Sequence, residues 1–194
     1  MQNSTTKATN RRQREYLTPD EIEKLLAASH GTRNPERDYA ILLLMYRHGL
    51  RVSELCQLKL SDLNLELGEL YVNRLKGSDG GPHPLFNGEG AAIRSWIAVR
   101  ETLGVPDSCD TLFVSERRQG MSRFTINVMI QKLSLAAGLD SLGVHPHSLR
   151  HSCGYSLVNR GTDIRVIQSY LGHRSISSTV RYTKLNHKQF AKLF

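Results

Sequence analysis

Four short segments of this 194-residue chain carry residues suited to moving a phosphodiester: HGLRVSEL (48–55), RLKGSDGGPHPL (74–85), HPHSLRHSCG (145–154) and LGHRSISSTVRYT (171–183). Breaking such a bond without ATP needs a nucleophile that keeps the bond energy in a covalent intermediate. Fixed cations must meet the charge that grows on the non-bridging oxygens. Arginine suits this, because its planar fork pairs with two oxygens and keeps its proton. The departing sugar oxygen needs an acid, and a tyrosine nucleophile needs help because its phenol pKa is about 10. Arg51 follows Gly49, a residue suited to a helix stop that aims it inward. Arg150 lies three residues after His147, so the two share a helix face. His173 follows the stop at Leu171-Gly172, and Tyr182 lies nine residues beyond it. The stretch that carries Tyr182 lacks the apolar stripe of a core helix.

The elements that must position these groups are legible in outline. Thr18-Pro19-Asp20-Glu21 has capping-box spacing with proline at the first helical position, and Ile22, Leu25 and Leu26 follow as an apolar face. Residues 37–48 contain the all-apolar run Ala40–Met45, a helix for the core, and a shorter helix starts at Ser53. Leu63, Leu65 and Leu67 alternate with polar residues, then a Gly68-Glu69 turn and LYVNRL complete a hairpin. A glycine-rich turn, Gly77 to Gly81, leads to a third strand near His83–Phe86. Helices follow around Ile93, Trp96 and Ile97, at 122–137 with Ser122 as cap, at 147–160, at 163–171 and at 176–183. The pattern predicts a mainly α fold with a small antiparallel three-stranded sheet (α+β). It divides the chain into a basic arm (1–16), one domain (17–185) and a C-terminal helix (186–194) carrying Phe190, Leu193 and Phe194.

Bulk composition fits this outline. Hydrophobic residues make up 39% and charged residues 23%, normal for a globular chain. No apolar run approaches the ~20 residues needed to span a bilayer. The N-terminus has no apolar core of a signal peptide, so a location in the cytosol or nucleus is expected. Three widely spaced cysteines fit a reducing compartment. The net charge of +8 favours a polyanionic partner.

Each residue taken singly has a plainer reading. Arg51 alone suits a salt bridge with Glu54, Tyr182 alone suits half-buried packing, and Lys76 suits a solvated turn. His147 and His151 are spaced for zinc, but no HExxH or CxxC pattern accompanies them and Arg150 would repel a cation. Cys153 reads as a small buried helix residue.

Taken together, in order and with their flanking residues, the four segments resemble the motifs of the tyrosine recombinase (phage integrase) family: G-x-R-x-S-E, H-x-L-R-H, L-G-H, and a tyrosine after T-x-R. The similarity runs from about Leu17 to Thr183. HPHSLRHSCG and YLGHRSISSTVRYT are most similar to the short recombinases that invert a fimbrial promoter element. The resemblance implies a tyrosine recombinase catalytic-domain fold and a set of roles. Arg51 and Arg150 clamp the scissile phosphate, and His173 donates a further hydrogen bond to it. His147 assists proton transfer as general base, and Lys76 is the acid for the leaving 5′-oxygen. Tyr182 attacks and keeps the 3′-phosphate, and Glu54 supports Arg51 and His173 from behind. The resemblance implies no metal or nucleotide cofactor. It implies double-stranded DNA with inverted-repeat sites, a tetramer on DNA, accessory DNA-bending proteins and no membrane. Two departures stand out. Pro82-His83 occupies the place where the family has a basic residue before the third strand, and there is no room for the N-terminal helical domain of larger members. A relaxing type IB topoisomerase and a DNA-binding regulator without chemistry are the alternative functions.

Overall fold

The computed structural model describes residues 14–74 and 80–183. Eight α-helices and three strands follow in the order α1 (Pro19–Ser29), α2 (Pro35–Arg47), α3 (Val52–Gln57), β1 (Leu63–Asn64), β2 (Glu69–Val72), β3 (Gly81–Pro84), α4 (Glu89–Thr102), α5 (Arg123–Ala136), α6 (Pro146–Asn159), α7 (Ile164–Leu171) and α8 (Ser177–Val180), with short 3-10 turns at Leu60–Asp62 and Asp140–Leu142. The mainly helical outline with a three-stranded antiparallel sheet is therefore as expected. The arm at 1–13, Lys76 and the C-terminal segment 186–194 lie outside the described residues.

Local chemistry sets most of the boundaries. Thr18 caps α1 through the Glu21 amide, and the Glu21 carboxylate closes the box on the Thr18 backbone. Ser122 caps α5 and Asp163 caps α7. The helix predicted at 176–183 is shorter, four residues at Ser177–Val180. In the sheet, Leu63 faces Leu70, and Leu70 faces His83. The alternating leucines do not all become strand: residues 65–68 turn, and Leu67 is 71% exposed. The third strand begins at Gly81, so Pro82-His83 lies within it and His83 is buried.

The core is built on α2, whose run from Ala40 to Met45 is buried all round. It packs against α1, α4 and α6. Trp96 on α4 stacks over Phe113 and donates from its indole nitrogen to the Leu112 carbonyl at 2.9 Å. A second, smaller apolar cluster joins Cys153, Tyr155 and Val158 of α6 to Ile167 and Leu171 of α7 and to Tyr182. Tyr16 packs into it on Tyr155, and Ser152 accepts from the Leu17 amide at 2.8 Å. No helix among the described residues is long and apolar enough to cross a membrane.

Gly49 joins the two clusters. Its φ is +56°, and an added Cβ would lie 2.4 Å from Leu171 Cδ2 and 3.4 Å from Cys153 Sγ. Gly49→Ala combines the left-handed cost of about 1 kcal/mol with overpacking of about 1–3 kcal/mol. It is expected to destabilise the protein by about 2–4 kcal/mol, read as a lowered urea midpoint at unchanged slope.

Candidate active site

The site forms where four chain segments meet at the C-terminal ends of α2 and α7. Arg51 is the N-cap residue of α3, in extended conformation. Its Nη1 donates to Glu54 Oε1 at 2.5 Å and its Nη2 to the Gly172 carbonyl at 3.1 Å. Arg150 comes from the first half of α6. Its Nη1 donates to the Gly49 carbonyl at 2.5 Å and its Nη2 to the Leu171 carbonyl at 2.6 Å. Both guanidiniums thus take the carbonyls exposed at helix ends, where the helix dipole is negative. Burial lowers the Arg150 pKa to about 10, helped by Arg51 and Arg74, so it stays charged at neutral pH.

Glu54 is the carboxylate of this cluster. It accepts from the Arg51 amide at 2.8 Å, from the Arg51 guanidinium and from Arg74 Nη1 at 2.9 Å, with Arg150 Nη1 at 4.0 Å. Burial pushes its carboxyl upward, but the Arg51 amide and the Arg74 and Arg51 guanidiniums outweigh that and hold it below the usual range. The expected support of Arg51 is present. Among the described residues no hydrogen bond joins Glu54 to His173, and Glu54 Oε2 accepts from the Arg51 amide and from Arg74. His173 is instead held by Thr179, whose hydroxyl lies 2.9 Å from its Nδ1. Its pKa falls to about 4 through burial and then through Arg150, Arg51 and Arg74.

Arg74, two residues before Lys76, is a further member of the cluster. It is buried, donates to the His48 carbonyl at 3.1 Å and to the Tyr170 carbonyl, and lies against Gly172, whose Cβ would be 2.8 Å from Arg74 Cδ. A lone arginine three residues before a glycine turn gives no local signal of this role. Lys76 itself is outside the described residues.

Tyr182 is 1% exposed, more enclosed than its polar neighbours suggest. Its ring stacks on His173 with centroids 6.0 Å apart and meets Tyr155 edge-on at 5.1 Å. The slot exists because α6 has glycine at 154: a Cβ there would come within 2.5–2.8 Å of three ring atoms. Burial pushes the phenol up to about 12, against the opposing pull of Arg150 and Arg181. Its hydroxyl lies 3.2 Å from His151 Nδ1, a contact that the zinc-like spacing of His147 and His151 does not signal. His147 is exposed at the start of α6 and has no described hydrogen bond to Tyr182. Burial, then His145, Arg150 and Arg51, lower its pKa.

Two arginines, a histidine and a tyrosine thus lie around the helix ends at Gly49 and Gly172. Comparison with known proteins shows the family. Residues 15–189 match the model of the phage integrase family. The chain is 42% identical over 184 residues to the type 1 fimbriae regulatory protein FimB of Escherichia coli K12, covering 95% of this chain and 90% of that protein. It is 41% identical over 181 residues to the type 1 fimbriae regulatory protein FimE of the same strain, covering 93% and 91%. Among solved structures it is similar to the XerA recombinase, with a TM-score of 0.80 and 35% identity over 92% of this chain; it spans 63% of that longer chain. The chain therefore belongs to the phage integrase family, the tyrosine recombinases, which break and rejoin DNA strands.

Proposed function

We propose that this protein is a site-specific recombinase in which Tyr182 attacks a DNA phosphodiester and holds the 3′-phosphate as a phosphotyrosine. The observation that carries the reading is the meeting of Arg51, Arg150, His173 and Tyr182 from three separated segments around the carbonyls of Gly49, Leu171 and Gly172. Arg51 and Arg150 exchange those carbonyls, in part, for phosphate oxygens. His173 adds a hydrogen bond, His147 takes part in proton transfer on the exposed side, and Lys76 protonates the leaving 5′-oxygen. Attack of another strand's 5′-hydroxyl on the phosphotyrosine completes the exchange. The substrate is double-stranded DNA with inverted repeats flanking a promoter that controls fimbrial genes. The similarity to two regulators of type 1 fimbriae supports that choice. The protein works as a tetramer with accessory bending proteins, in the cytoplasm with the nucleoid.

The test starts with footprinting on DNA that flanks the protein's own gene, to find the protected inverted repeat. A nicked suicide duplex carrying that repeat should trap the protein covalently, and mass mapping should place the DNA on the Tyr182 peptide. Absence of any adduct, or DNA mapped to another residue, contradicts the reading. Relaxation of supercoils by monomers with no recombinant product would favour the topoisomerase alternative.

Segment 186–194 carries Phe190, Leu193 and Phe194, and we assign it to docking on a neighbouring protomer. Its deletion is expected to reduce higher-order complexes on a two-site duplex in gel-shift assays and to leave the melting temperature unchanged. Unaltered recombination after deletion would oppose the assignment.

A further inference from the structure

A phenol that attacks phosphorus must give up a proton, and a candidate acceptor has to lie within hydrogen-bond reach of it. Among the described residues one ring nitrogen satisfies this: His151 Nδ1, 3.2 Å from the Tyr182 hydroxyl. His173 stacks on the tyrosine ring but commits its Nδ1 to Thr179. His147 lies one turn away on the same helix, its ring 6.4 Å from that of His151.

The other side of the His151 ring faces a carboxylate. Glu15 Oε2 lies 3.9 Å from His151 Nε2, and Arg181, the residue before the tyrosine, fixes Glu15 through a 2.6 Å bond. A carboxylate beside Nε2 favours the tautomer that carries its hydrogen there. Nδ1 then presents a lone pair to the phenol. The imidazole thus lies between a hydroxyl at 3.2 Å and a carboxylate at ion-pair range, 3.9 Å, and a base placed beside a weak hydroxyl nucleophile can activate it.

On the reading that Tyr182 is the nucleophile, we propose that His151 is a catalytic residue that accepts the phenol proton, with Glu15 positioning its ring. The phenol oxygen forms its bond to phosphorus and the bond from phosphorus to the 5′-oxygen breaks. The phenol proton passes to His151 Nδ1, and the 5′-oxygen takes its proton from a separate donor, the role given above to Lys76. Rejoining runs in reverse, and His151 returns the proton to the departing tyrosine.

The surroundings oppose transfer in the resting site. Burial, with Arg181, His147 and Arg150, holds the ring pKa down to about 4 against the pull of Glu15, and the phenol stands near 12. Both groups are neutral at rest, so the proton stays on oxygen until the oxygen–phosphorus bond forms and the oxygen loses its basicity. Glu15 then opposes the charge on the imidazolium. The groups facing the ring are Glu15 from before α1, Tyr182 and Arg181 from after α8, and His147 and Arg150 from α6 itself.

The full chain is assayed for covalent adduct on the suicide duplex, with oxygen or bridging sulfur at the scissile 5′ position. Sulfur leaves without protonation, so it repairs the loss of an acid and not of a base. Lys76→Ala should be slow on oxygen and restored on sulfur. His151→Ala should be slowed about 100-fold on both, in the range typical of one general base. Added imidazole should restore its rate in proportion to free-base concentration. A rate within about threefold of wild type in His151→Ala overturns the proposal, since a lost general base costs far more. So does repair by sulfur, or a slow rate that imidazole leaves unchanged, which assigns His151 to packing. If His151→Ala fails to fold by thermal melting, His151→Gln is measured on the two duplexes against the same limits. No adduct from the wild-type protein, or an adduct from Tyr182→Phe, defeats the underlying reading instead.

Discussion

Tyr182→Phe is expected to abolish the protein–DNA adduct while changing stability by no more than about 1 kcal/mol. The two effects separate because the two halves of the side chain do different things. The ring fills the slot over Gly154, stacks on His173 and meets Tyr155, and phenylalanine keeps all of that. The hydroxyl makes one described hydrogen bond, to His151 at 3.2 Å. Losing a neutral hydrogen bond costs about 1 kcal/mol. Removing the hydroxyl also removes a buried polar group, which offsets part of that cost. Covalent chemistry has no substitute for the lost oxygen, so adduct should fall by at least the ~10⁴-fold typical when a nucleophile is removed. Chemical denaturation and suicide-duplex trapping on one preparation check both halves. A variant that melts far below wild type would mean the hydroxyl holds the slot closed. An adduct that survives would place the nucleophile elsewhere.

Much of the scaffold was legible because its causes are local. The box at Thr18 and Glu21, the cap at Ser122 and the left-handed glycines at 49 and 172 each depend on a few adjacent residues. The motif residues were legible as a set, and Arg51, Arg150, His173 and Tyr182 do come together. What escaped depends on distant chain. Leu67 follows the strand alternation, yet the turn at 65–68 leaves it in solvent. Tyr182 sits in a polar stretch, and only Gly154, 28 residues earlier in sequence, makes room to bury it. The Arg74–Glu54 pair spans 20 residues, so nothing local to either residue announces it. His151 reads as a zinc-spaced histidine until the fold turns it toward a hydroxyl.

Glu54→Gln is expected to cost about 3–5 kcal/mol, the range for removing one partner of a buried ion pair, and to slow adduct formation. Glu54 and Arg74 side chains are each 1% exposed, so neither has water to replace the other. Glutamine keeps the volume but turns an amide NH2 toward Arg51 or Arg74, and Arg150 loses the carboxylate 4.0 Å from it. Three guanidiniums would then repel across a buried space with nothing between them. The same carboxylate governs the response to acid. Its folded pKa lies below the ordinary 4.5, so the native state binds its proton less readily than the unfolded chain. The stability it contributes is therefore complete above pH 4.5 and is lost as pH falls through the lower folded value. Urea midpoints measured at intervals down to pH 3 should converge for wild type and Glu54→Gln as the wild-type carboxyl protonates. Because Arg51 then loses the group that aims it, the folded variant should form adduct about 10²-fold more slowly, the scale seen when one transition-state donor is displaced. Parallel midpoints across the acid range would show that the carboxylate's charge contributes nothing, and that Glu54 acts through its shape alone.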